Sequence, residues 1–210
     1  MPRSLLRFYA VPVAIMVLAY VLPMAVVGAT VRAGDPEMLK LRQEIAGQMA
    51  AVGPIAAVAR QMREGRYARA TFTVFAWNFG VAALTLSILA GGVFFALPPL
   101  VGVSRGVLLG LFYDPSAFEG ARGVVVIGTA LLELPPYMIA GALGMRLGLA
   151  WLQPPRNERL REAWGYARWT IPVVAGLLLV AGHQPPRAGH DPVPRDRAAV
   201  LRHDRADQPG

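Results

Sequence analysis

Glu133 is the one acidic residue inside an apolar run of this sequence. A charge at mid-bilayer costs about 2.5–3.5 kcal/mol on insertion scales, so such a residue is protonated, paired or facing water. The nearest base by run is Arg105, and a buried Arg105–Glu133 pair would satisfy both. Asn78 is the third polar residue of this set and can hydrogen-bond either one. Two readings follow from Asn78, Arg105 and Glu133: a polar clamp between helices, or an ion or proton path. Gly102-Val103-Ser104-Arg105-Gly106 also fits the G-x-S-x-G pattern of serine hydrolases. That pattern needs a strand before it and a base to take the hydroxyl proton, and no histidine or lysine occurs in any apolar run. Ser104 is therefore not expected to be a nucleophile.

The same glycines have another use. Gly102, Gly106 and Gly110 repeat at four-residue steps, which lets a neighbouring helix backbone approach closely. Gly144 and Gly148 repeat that spacing, with Gly141 three residues earlier, and Gly91-Gly92 forms a further thin patch. Close helix packing is expected at all of these positions, with a homo-oligomeric contact as one way of using them. From its place beside Arg105, the Gly102–Gly110 stripe is expected to let its helix approach the one that carries Glu133.

These residues lie on long apolar segments. Of the 210 residues, 55% are hydrophobic and 16% charged; soluble domains carry about 25% charged residues. Mean hydropathy is +0.43. Uncharged runs cover Phe8 to Val31 and Ala70 to Leu97, each long enough to cross a hydrocarbon core of about 30 Å. The first exceeds the length of a signal-peptide core, so it is read as a span. Leu100 to Tyr113 is short and carries Arg105, a span or a re-entrant piece. Gly123 to Ala150 is interrupted by Glu133, Pro135-Pro136 and Arg146, and Trp169 to Gly182 spans by borrowing from residue 165 onward. Aromatic residues cluster at run ends, as at bilayer interfaces. The expected fold is an all-α polytopic membrane helical bundle with four to five transmembrane helices in residues 1–182, with spans near 8–31, 70–97, 100–113, 123–150 and 165–182. Residues 183–210, rich in Pro, Arg, Asp and Gly, form a polar tail expected to be disordered.

Between the first two spans, Met38, Leu41, Ile45, Met49, Val52, Ile55, Val58 and Met62 advance in steps of three and four. That spacing predicts an amphipathic helical loop over 32–69, with Asp35 as N-cap, Pro36 in the first turn and a break at Gly53-Pro54. Its apolar face suits a membrane surface, its own bundle or a docking partner.

The chain carries 21 Lys+Arg against 13 Asp+Glu, a net charge of +8. The bases sit at the joints between apolar runs with no aromatic interleaving, so lipid headgroups are the expected counterpart and nucleic acid is not. Arg3 and Arg7 draw the N-terminus to the cytoplasm, whereas the basic loop and tail draw the opposite face there. With no cysteine, there is no thiolate chemistry and no disulfide. His183, His190 and His203 match no metal spacing, and no phosphate-binding loop occurs. No catalytic, cofactor-binding or metal site is expected.

The arrangement resembles the stage II sporulation protein M family of bacterial and archaeal membrane proteins. The resemblance rests on Phe75-Ala76-Trp77-Asn78-Phe79 followed by Gly91-Gly92, then on Arg105-Gly106 and Gly110. It continues through Thr129-Ala130-Leu131-Leu132-Glu133-Leu134 into Ala140-Gly141-Ala142-Leu143-Gly144 and Leu147-Gly148. Arg105 stands where the family shows Asn, and Thr129-Ala130 where it shows His-Gly. The resemblance implies a multi-span, non-enzymatic protein of the cell membrane. The sporulation member anchors and localises peptidoglycan-degrading partners, stage II sporulation proteins D and P, during engulfment. By that resemblance, a scaffold for envelope or transport partners is expected. The alternative is a transport subunit that works with a separate ATPase or uses Glu133 as an ion or proton site.

Overall fold

A computed structural model describes residues 3–112 and 121–182, and side chains over 8–112 and 132–181. The tail from His183 onward and the link 113–120 lie outside the described residues. All the regular structure within them is helical: α1 (Arg3–Arg32), α2 (Pro36–Ala51), α3 (Pro54–Arg63), α4 (Tyr67–Phe75), a π-helical stretch (Ala76–Leu89), α5 (Ala90–Val93), α6 (Leu97–Phe112), α7 (Ala121–Leu152) and α8 (Arg156–Gly182). The protein is an all-α membrane bundle. Among the described residues, three continuous rods, Phe8–Arg32, Tyr67–Val93 and Arg156–Ala181, are long and apolar enough to cross a bilayer.

The second rod joins α4, the π-helix and α5 without a break. Its π-helical part runs for 14 residues, far beyond the usual single turn. Two hydroxyls follow the wider winding. Thr85 Oγ1 donates to Gly80 O and Ser87 Oγ to Ala82 O, both at 2.8 Å and five residues back. Each hydroxyl thereby satisfies its own donor on the rod's backbone, as a polar group among apolar neighbours requires.

The fourth and fifth runs are longer helices than expected. α7 continues through Pro135 and Pro136, and Pro136 is fully buried. Each proline removes one amide donor. The remaining turns, clamped by packing on both flanks, hold the rod together. α8 starts at Arg156, well before residue 165, and runs 27 residues, about 40 Å of helix.

The core has small residues where helices cross and larger ones between. Met16, Tyr20, Ile88, Tyr137, Leu143, Val174 and Leu178 are buried among Ala82, Ala83, Ala140, Ala142, Ala163 and Ala167. The outer faces carry exposed apolar side chains, among them Val11, Leu18, Leu22 and Val26 on α1 and Val173, Leu179 and Val180 on α8. Such faces are at equilibrium against lipid tails rather than water.

Candidate functional site: an apolar groove floored by Asn78 and Glu133

The amphipathic loop forms as its spacing predicts. Asp35 caps α2, its Oδ1 accepting from Met38 N at 2.9 Å, with Pro36 opening the helix. Gly53 takes φ 95°, a left-handed conformation that disfavours any side chain, and Pro54 then opens α3. That elbow joins α2 to α3; a second turn at Glu64–Arg66, with Gly65 at φ 71°, folds α3 back onto α4, where Thr73 Oγ1 donates to Gln61 Oε1 at 3.1 Å.

The contact is not close along its whole length. No residue of α2 or α3 is buried. Met49, Val52, Ile55, Val58 and Met62, five of the eight residues of the predicted stripe, line one wall of an open groove of about 610 Å³. Val74 and Trp77 line the opposite wall, and Asn78 together with Glu133 of α7 lines the floor. Asn78 sits on the π-helix and Glu133 on α7, so two of the three polar residues singled out by the sequence meet at one apolar cleft. Asn78 is the twelfth residue from Tyr67 and Glu133 the thirteenth from Ala121, each about 17 Å along its rod.

Arg105 lies behind that floor. Its guanidinium sits 4.0 Å from the centroid of the Tyr137 ring, a contact worth about 2 kcal/mol or more when desolvated. Tyr20 and Tyr137 also act on it electrostatically, and Glu133 adds a longer-range attraction. The two ion pairs of the described residues, Lys40–Glu44 and Arg66–Glu64, are both on the exposed loop. Arg105 is thus held mainly by aromatic rings, not by a direct carboxylate contact. Tyr20 and Tyr137 were not evident as site residues: they are two of several tyrosines within the apolar runs, and nothing in their spacing ties them to Arg105.

Ser104 is exposed, and its hydroxyl donates to Val101 O at 2.9 Å, within its own turn of α6. The G-x-S-x-G pattern therefore occupies a helix interior.

The glycines form two seams. On α6, Gly102, Gly106 and Gly110 press against Ala19, Tyr20, Met24, Val27 and Gly28 of α1. A Cβ added at Gly106 would sit 2.5 Å from Tyr20 O, and one at Gly110 2.7 Å from Met24 O. The expectation that this stripe brings α6 close to α7 is corrected here: its partner is α1, because Tyr20, Met24 and Gly28 offer a matching four-residue ridge. On α7, Gly144 meets the Ser87 and Ile88 backbone, and Gly148 meets Gly91 O and Phe95. Gly91 lies against Gly144 and Pro98, and Gly92 against Leu147. Gly141 turns away from that seam to face Met16 of α1. These eight glycines are therefore all engaged within one chain.

With this geometry in place, comparison with protein families gives a match to stage II sporulation protein M over residues 9–183. The chain belongs to that family. Comparison with curated proteins and with solved structures gives no match. The matched segment of this stage II sporulation protein M family member begins in α1 and takes in the loop helices, both glycine seams, the groove and all of α8.

Proposed function

We infer that this chain is a multi-pass protein of the cell membrane that acts as a non-enzymatic scaffold, recruiting or stabilising an envelope or transport partner. The observation that carries this reading is the unfilled apolar groove under α2 and α3. A stripe of Met, Val and Ile that only half packs on its own bundle has free area for a partner's apolar segment. The flexible side chains of Met49 and Met62 adapt to its shape. Family membership supports the same reading, since the sporulation member is an anchor for other proteins. Five rods, α1, Tyr67–Val93, α6, α7 and α8, follow one another in the chain and support a five-span reading, with the loop 33–66 on one side.

The test is a photo-crosslinking residue placed at Ile55 in the full-length protein in cells. A discrete protein adduct, lost when Val58→Asp is added while the protein still inserts and melts normally, supports recruitment through the groove. Adducts with lipid alone count against it. A second reading draws on Glu133, which faces an open cleft rather than a sealed core: a transport subunit using that carboxyl as an ion or proton site. It predicts a pH-dependent flux in proteoliposomes that Glu133→Gln abolishes without changing insertion.

A further inference from the structure

The groove under α3 is apolar along its walls and polar at its floor, where Asn78 and Glu133 lie. An ionised glutamate is an acceptor-only side chain, with two oxygens and about four lone-pair sites. Among the described residues the Glu133 carboxylate takes no hydrogen bond and forms no ion pair; the pairs found there, Lys40–Glu44 and Arg66–Glu64, use other acids. Arg105 does not supply that contact. Its guanidinium rests on the ring of Tyr137, one turn along α7 from Glu133, 4.0 Å from the ring centroid. An attraction across that distance fills none of the carboxylate's acceptor sites.

Glu133 is half-buried while the groove is open. An occupant that fills the groove takes the remaining water away from it. A purely apolar occupant would then strand a charged acceptor among methyl groups, which costs more than burying one or two apolar side chains gains. The occupant must therefore bring a donor. Trp77 says which kind. It lies on the wall beside Asn78 and is 44% exposed. Indole is the ring that best attracts a cation, and a charge-assisted hydrogen bond to a carboxylate is roughly twice as strong as a neutral one. Carboxylate and indole in one cleft both select an ammonium or a guanidinium. A phospholipid does not match: its acyl chain has no donor for that floor, and its phosphate brings a like charge.

Size adds to the argument. One helical turn, about 10–12 Å across and 5.4 Å tall, fills roughly 500 Å³. A groove of about 610 Å³ thus takes one face of a helix along a few turns. Taking the scaffold role as given, we propose that the partner segment held here is an apolar helix with a single Arg or Lys on its groove-facing side. Its cation pairs with Glu133, donates also to the side-chain carbonyl of Asn78, and lies against Trp77. Apolar side chains a turn away pack on Ile55, Val58 and Met62. The carboxylate makes the groove selective, because an apolar helix without a cation leaves it unpaired.

The experiment uses full-length Ile55→Cys protein in liposomes with synthetic Leu/Ala helical peptides of about 20 residues, enough to span the bilayer. The peptides differ at one central position, which is Arg, Gln or Leu. The readout is the rate of maleimide reaction at residue 55 against the peptide-to-lipid ratio. The Arg peptide should protect at a ratio at least tenfold lower than the Gln or Leu peptide, as one charge-assisted contact implies. Glu133→Gln should shrink that preference to less than about threefold, while Glu133→Asp should keep most of it. Thermal melting checks that both variants fold, and the peptide series on protein with Glu133 intact decides alone should Glu133→Gln fail to insert. Equal protection by all three peptides, or a preference that survives Glu133→Gln, would overturn the cation and leave the scaffold role standing. No protection by any peptide would also overturn it. Faster labelling on deletion of residues 183–210, before peptide is added, would overturn it in favour of the chain's own arginine-rich tail. Labelling that slows with protein density would do so in favour of a second copy. Lipid-only adducts at Ile55 in cells, with the Arg preference intact, would remove the scaffold role and support the cation-selective groove.

Discussion

Where α6 crosses α1, and where α7 crosses the π-helical rod, backbone meets backbone through glycine. Where α3 lies over α4, side chains meet across a space. Both regions are apolar and both obey helical spacing, yet one leaves no room for a methyl group and the other holds about 610 Å³. In a bilayer, lipid tails compete with apolar side chains, so close approach and dispersion hold the seams together rather than hydrophobicity. The loop helices contribute nothing comparable. The difference separates the contacts that hold this chain together from the surface that the proposed function assigns to a partner.

The sharpest way to break that contrast is to thicken a seam. Gly144→Ala places a Cβ onto Ser87 O, a backbone atom that yields only if α7 moves. A loss of about 3 kcal/mol, at the upper end of overpacking effects, should appear as a lower melting temperature and reduced folded yield in detergent. Gly176→Ala meets open space on α8 and should be neutral or stabilising by about 0.5–1 kcal/mol, as glycine removal from a helix allows. Equal effects of the two would erase the distinction.

Next in size is Arg105→Leu. It removes the cation–π contact with Tyr137 and the buried charge beside Tyr20 and Tyr137, residues 2% and 4% exposed. A destabilisation of about 2 kcal/mol or more is expected from thermal unfolding. Arg105→Lys should recover part of it, since an ammonium keeps the charge but not the planar stack.

A change at the elbow should be smaller and local. Gly53→Ala forces a Cβ into a left-handed conformation, about 1–2 kcal/mol, and should speed hydrogen exchange in α2 and α3 while leaving α6 and α7 amides protected. The smallest effect belongs to the groove wall. Val52→Ser, on a residue 77% exposed, should alter stability by no more than about 0.5 kcal/mol while weakening partner crosslinking.

Much of this organisation was legible in the residues. Asp35, Pro36 and Gly53-Pro54 carry their own conformational rules, so the cap and the elbow fall where local chemistry places them. The Met38-to-Met62 stripe announced an amphipathic loop, and Glu133 and Asn78 stood out by the cost of polarity among apolar neighbours. Spacing names a face, however, not the neighbour that covers it. Gly102, Gly106 and Gly110 gave no sign that α1 rather than α7 would lie against them, and Gly141 and Gly144 proved to serve different helices. The π-winding of Ala76–Leu89 shifts side chains off a 3.6-residue period, with Thr85 and Ser87 five residues after Gly80 and Ala82 as its only trace. Pro135-Pro136 read as a break because proline loses a donor; packing on both sides keeps α7 whole.

The proposed function requires that the α2–α3 groove, open in the isolated chain, be covered by another protein in the cell. The sequence lacks cysteine, so Ile55→Cys gives a single labelling site. Its rate of reaction with a maleimide is compared in native membranes and after purification into liposomes of the same lipids. Slow labelling in native membranes and at least tenfold faster labelling in liposomes is the result predicted, because lipid is present in both and only the partner is lost. Equal rates would contradict it.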